Sequence, residues 1–372
     1  MARFIKTLKK TALAASIASL ATVANATIVT SIKPLGFIAS SIADGVTGTE
    51  VLVPAGASPH DYSLKPSDIQ KLQGAELILW VGEDIDAFLD KTLRPMPFKK
   101  VLSIADFAEI GGLLEGEAHD HKHEHDHAHK HDHDHKHEHD HKHDHAHKHE
   151  HDHKHDHAHK HEHDHKHDHA HKHEHDHKHD HDHKHDHEHK HDHAHGHDHD
   201  HSTNWHVWYS PEISKIVATR LATRLTEAYP EKKEKIAQNL AEFNRTLAEQ
   251  SEKIKQQLAP VKEKGFYVFH DAYSYFNNAY GLKQTGYFTI NPLVAPGAKT
   301  LAKIKQEIKE HKVNCLFAEP QFTPKVIESL SKGTGVHVGR LDPMGDAVKL
   351  GVNSYANFLQ YTADSYFACL SK

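Results

Sequence analysis

Several absences narrow this sequence before any motif is read. Beyond the N-terminus no stretch strings together the about 18 apolar residues that a membrane-spanning helix needs. No cysteine follows the N-terminal apolar run, which excludes a bacterial lipid anchor there. A basic excess is missing too. Between His119 and His201 the non-histidine positions carry 23 acids and 12 lysines, a balance of −11 against −7 for the whole chain. The remainder is therefore +4, and Arg3, Lys6, Lys9 and Lys10 account for all of it. A body this close to neutral lacks the electrostatic footprint that nucleic acid requires, so nucleic acid is not an expected partner. Cysteine is scarce, with Cys315 and Cys369 the only two.

What is present begins with an address. The four basic residues precede the apolar run from Thr11 to Val23, and Ala24-Asn25-Ala26 supplies a small-residue cleavage pattern. Residues 1–26 read as a signal peptide, with the exported chain starting near Thr27; an N-terminal anchor helix is the alternative, and the run is short for it. In an oxidising compartment an even cysteine count favours a disulfide, which would stabilise the C-terminal region by about 4 kcal/mol on the chain-entropy argument. Buried thiols or thiolate metal ligands are the other reading of the pair.

From His119 to His201 every odd position is histidine, 42 of the 47 in the protein. A 12-residue unit recurs unchanged from positions 141, 153 and 165. The tract holds no apolar residue larger than alanine, so it cannot bury enough surface to offset chain entropy, and a disordered loop over 117–203 is expected. Chemically it is a dense array of imidazole and carboxylate, suited to many weak, poorly selective zinc sites within 119–201. A slippage expansion without function is the bland alternative.

The remaining pieces alternate short β-branched runs with helical patterns. Strands are expected at Ile28–Ile32, Val51–Val53, Leu77–Val81, Phe266–Phe269, Asn314–Ala318 and Val336–Gly339. Helices are expected at Pro66–Leu72, Ile85–Leu93, Pro211–Ala228, Tyr273–Tyr280, Lys299–His311 and Ser354–Leu370. That alternation indicates α/β lobes with parallel sheets. Between the halves, Ile236, Leu240, Phe243, Leu247, Ile254 and Leu258 recur at helical spacing, with Pro230 and Pro260 at the ends. One helix over 230–260, about 45 Å long, would join an N-terminal lobe, 27–229, to a C-terminal lobe, 261–372. Packing of that helix within one lobe is the alternative.

Five histidines lie outside the tract. His60 follows the Val51–Val53 strand in a loop, His206 precedes the helix at Pro211, and His270 stands at the end of the Phe266–Phe269 strand. Ligands of open α/β sheets bind beyond the carboxyl ends of strands, so these three can converge between the lobes, and three imidazoles suit zinc. His311 reads as a helix-end charge and His337 as a strand residue.

The stretches Gly56–Asp68, Asn204–Glu212 and Phe269–Phe276, each containing one of the three histidines, resemble the metal-ligand motifs of the ZnuA family, periplasmic zinc-binding proteins of ABC importers. Cys315–Phe322, Leu341–Gly345 and Cys369 resemble that family as well, and a histidine-rich loop recurs in its zinc-specific members. The resemblance implies two α/β lobes with parallel sheets joined by a rigid helix, and one tight zinc site in the cleft held by His60, His206 and His270. It also implies a Cys315–Cys369 disulfide, zinc as transported ligand, and a membrane permease as partner to a monomeric protein. Manganese-binding relatives carry a carboxylate at the third position, so His270 favours zinc. For the fourth ligand Asp342, a water and a tract histidine stay open; Asp342 can equally shape its Asp-Pro turn. Asp61 and Asp271 are candidates to orient the rings. An exported zinc hydrolase would need a general base, and the sequence offers no His-Glu-x-x-His helix. A pure metal-storage protein and a manganese carrier are the remaining competitors.

Overall fold

The computed structural model describes residues 27–116, 203–322 and 325–372. The expected signal peptide and the histidine tract fall outside the described residues. The first half builds β1 (Thr27–Thr30), α1 (Lys33–Ile42), β2 (Gly48–Val51), α2 (Pro66–Gly74), β3 (Leu77–Trp80), α3 (Glu83–Asp86), α4 (Asp90–Leu93) and β4 (Val101–Ser103). Its sheet runs β2-β1-β3-β4, parallel throughout. All four residues of β3 are buried, as expected of a central strand covered on both faces. A short antiparallel ribbon, β5 (Glu115–Gly116) with β6 (Thr203–Asn204), pairs the chain on either side of the tract.

After the ribbon come α5 (Pro211–Ala228) and α6 (Lys233–Leu258). Ser210 caps α5 by accepting from the amide of Ile213, and Pro211 suits its first position. The second half builds β7 (Phe266–His270), α7 (Ser274–Tyr280), β8 (Gln284–Thr289), α8 (Ala298–Lys309), β9 (Cys315–Ala318), α9 (Lys325–Thr334), β10 (His337–Arg340) and α10 (Ser354–Leu370). Its sheet runs β10-β9-β7-β8, again parallel.

Two four-stranded parallel sheets with helices match the expected α/β class. The helix over 230–260 has 26 α-helical residues, with a 3₁₀ turn at each end around Pro230 and Pro260. It is more than a strut. Ile236, Phe243, Leu247, Ile254 and Leu258 are buried, and the helix packs along α5 and α10. One apolar cluster runs from Ile28 and Phe37 through Tyr209 and Phe243 to Phe266 and Tyr366, joining both sheets' inner faces.

Cys315 opens β9 and is bonded to Cys369 near the end of α10. The bridge ties the C-terminal helix to the second sheet. The expected single helix Ile85–Leu93 is instead α3, a 3₁₀ turn and α4, broken where Asp86 turns inward to accept from Ser31 and the Val81 amide.

Candidate metal centre

His60 sits in a 3₁₀ turn, Pro59–Asp61, on the loop that leaves β2. Ser58 caps that turn through the His60 amide. His206 lies two residues past β6, immediately before the turn that leads into α5. His270 is the last residue of β7. All three thus lie at or beyond strand ends, and the fold brings them together.

Each offers a nitrogen, and these atoms lie within 4.8 Å of one another. The Nε2 atoms of His206 and His270 are 3.2 Å apart. Two nitrogens on a tetrahedral zinc, each about 2.0–2.1 Å from the metal, are separated by about 3.3 Å. His206 and His270 are buried, at 8% and 2% exposure, while His60 is half-buried.

The far side of two rings is held. His206 Nδ1 is 2.7 Å from Asn204 Oδ1. The Asn204 amide is itself fixed, because its Nδ2 donates to the Asp271 carbonyl at 2.8 Å and its Oδ1 also accepts from the His206 amide. His270 Nδ1 lies 2.7 and 2.8 Å from the two oxygens of Glu319, whose carboxylate also accepts from the Tyr273 hydroxyl at 3.1 Å. Acceptors at Nδ1 place the proton there and leave the Nε2 lone pairs facing each other. Two lone pairs at 3.2 Å repel, and a shared cation relieves that repulsion.

Protonation is disfavoured at the same place. Burial, with the neighbouring His270 second, lowers His60 from 6.5 to about 3. Burial also holds His206 well below its usual value, helped by His270 and His60. Both rings stay neutral at ordinary pH, the form that binds a metal.

The residues expected to orient the rings were Asp61 and Asp271; those that do so for His206 and His270 are Asn204 and Glu319. Asp61 is exposed, and Asp271 accepts from Gln284. Glu319 follows β9, and pairing of β9 beside β7 sets their carboxyl ends next to each other. Asp342 is outside the three-histidine cluster. Its Oδ1 accepts from the Met344 amide and from Gln321, and its Oδ2 from the Asp346 amide at 2.7 Å. It shapes the turn, in which Gly345 adopts φ 63°. His311, at φ 57°, follows α8, and His337 is exposed in β10; neither joins the cluster.

A cavity of about 10 Å³ adjoins the three imidazoles, walled by Trp208, Gln321, Phe322 and Met344 among others. That is room for about one water-sized body.

Known proteins resemble this chain over most of its length. Residues 28–369 match the family described as ZnuA, zinc-uptake complex component A, periplasmic. A Haemophilus influenzae protein named high-affinity zinc uptake system protein ZnuA is 64% identical over 367 residues, 99% of each chain. A Yersinia pestis protein of the same name is 40% identical over 348 residues, 93% of this chain and 92% of that one. Among solved structures, a crystal structure of ZnuA superposes with a TM-score of 0.62 at 21% identity, covering 92% of this chain and 98% of that one. The laminin-binding protein Lmb of Streptococcus agalactiae gives 0.62 at 18% identity, covering 93% and 99%. These last two speak for the fold alone. By the family match over residues 28–369, and by relatives matched over nearly their whole length, the chain belongs to the ZnuA family of periplasmic zinc-uptake components.

Proposed function

We propose that the protein captures Zn²⁺ in the periplasm through His60, His206 and His270 and delivers it to the permease of an ABC importer. The single observation that carries this reading is the convergence of three histidine nitrogens within 4.8 Å, on rings kept neutral or oriented by buried acceptors. An all-imidazole set favours zinc over manganese, whose preference runs to carboxylate and water.

Release falls to the His60 loop. His206 and His270 are buried and held at Nδ1, whereas His60 rides a half-buried turn. That loop is tied to the second half where the Gly56 amide donates to Asp346 Oδ2 at 2.7 Å, an exposed bond. Docking onto the permease would break the tie and carry His60 away from the other two rings, lowering the coordination number and so the affinity. In this reading 27–229 and 261–372 act as lobes, with 230–260 as the stiff connector. Residues 1–26 are a cleaved signal, and 119–201 collect or buffer zinc at weaker sites.

Competitive zinc titration tests the assignment. One tight site should vanish when His60, His206 and His270 are all alanine. If the tight site survives that triple change, the cleft is not the carrier site and storage in the tract becomes the better reading.

A further inference from the structure

The three imidazoles leave one position of a tetrahedral zinc unfilled, and one residue beside their cavity carries a buried polar atom without a hydrogen-bond partner among the described residues. Gln321 lines the cavity. Its Oε1 is buried and has no hydrogen-bond partner among the described residues. A buried acceptor left in that state destabilises the fold, so a native one calls for a reason.

The orientation of the amide is set by its other end. Gln321 Nε2 donates to Asp342 Oδ1 at 2.8 Å, and the Asp346 carboxylate also takes a hydrogen bond from Gln321. Turning the amide over would set its oxygen against two carboxylates, so Oε1 is the end left without a partner. The acidic turn 342–346 therefore fixes the Gln321 amide.

The chain reaches this point by topology. Gln321 lies two residues past Glu319 on the segment leaving β9, and Leu341 bonds back to Ala318 at the end of that strand. The carboxyl ends of β7, β9 and β10 thus deliver His270, Glu319 with Gln321, and Asp342 to one edge.

We propose that Gln321 is a zinc-site residue whose Oε1 accepts a hydrogen bond from a water filling the fourth coordination position. This rests on the reading of His60, His206 and His270 as ligands. A metal-bound water is a stronger donor than bulk water because the cation withdraws charge from it, and zinc held by three protein ligands usually takes a water as the fourth. A neutral acceptor keeps the water in place without adding a charge, which suits a site that must also release its cargo.

The test is competitive zinc titration of the full chain, with a chelator strong enough to keep the tract's weaker sites empty, alongside thermal unfolding of the metal-free protein. Two variants separate the two ends of the amide. Gln321→Leu removes the oxygen and the donors together; Gln321→Glu keeps an oxygen at the same reach and removes the donors to Asp342 and Asp346. The expected result is about a 10- to 100-fold loss of zinc affinity in Gln321→Leu and wild-type or tighter affinity in Gln321→Glu. Equal loss in both variants, in step with their unfolding temperatures, would assign Gln321 to the turn alone and overturn the proposal. Wild-type affinity in Gln321→Leu would overturn it as well. Both results leave the histidine reading standing, which fails only if the unaltered protein lacks a tight site or keeps it in the triple alanine variant.

Discussion

Glu319 lies 49 residues from His270 in the chain, and the pairing of β7 with β9 brings it beside the ring that it holds. The same holds for Gln321, and local reading pointed instead to the neighbouring aspartates. Asn204 is two residues from His206, so the spacing could have suggested it. Replacing Glu319 by glutamine leaves a ring partner in place but removes the charge that makes His270 a stronger donor to metal. Zinc affinity is expected to fall about 10- to 100-fold, read by competitive titration; an unchanged constant would dismiss the role. The rings also set a pH dependence. In the unfolded chain His60 and His206 protonate near 6.5, while in the folded metal-free protein His60 is held down to about 3 and His206 well below its usual value. As pH falls through that window the unfolded state binds the protons first, so the stability these rings contribute is whole above about 6.5 and declines toward 3. Urea unfolding at several pH values should show a shallower decline when His60 and His206 are both alanine. Equal slopes in the two proteins would contradict the assigned shifts.

The elements that the sequence showed best are those with a one-sided pattern or a clear stop. Helix α5 has a serine cap, a proline start and a polar face, and both of its expected ends coincide with those observed. Helix α1 went unseen because eight of its ten residues are buried, leaving no polar face to mark a period. Strand β4 has only three residues, β8 carries a glycine and is largely half-buried at the sheet edge, and α9 begins just after Pro324; none offers a full alternation to read. The disulfide adds a constraint that neither pattern supplies. Cys315 and Cys369 are 54 residues apart, so breaking the bond frees a long loop in the unfolded state and should cost about 4 kcal/mol, within a usual range of about 2–5. The paired change to alanine should lower the midpoint of urea unfolding accordingly, and an unchanged midpoint would mean that the packing of α10 on α1, α6 and β10 suffices by itself.

At the scale of the molecule the proposed division of labour between tract and cleft has a structural handle. Residues 115–116 and 203–204 form an antiparallel pair, with Gly116 opposite Thr203, so the chain leaves for the tract and returns from it at neighbouring points. Removing residues 119–201 leaves Glu117, Ala118 and Ser202 between those strands, and three residues are a common hairpin length. The closure therefore need not strain β6, whose Asn204 holds the His206 ring. The shortened protein should fold, keep one tight zinc site and lose the population of weaker sites, with total zinc bound at saturation dropping steeply. In the proposed function the forty-two imidazoles are a local reservoir that raises the concentration of metal near the cleft when free zinc is scarce. Deletion should then slow loading of the cleft from dilute zinc while leaving its equilibrium constant within about twofold. The two quantities separate the readings: a slower rate with an unchanged constant assigns collection to the tract and capture to the histidine triad. A collapse of the constant itself would mean that a tract histidine enters the tight site, and Gln321 would then have no water to hold.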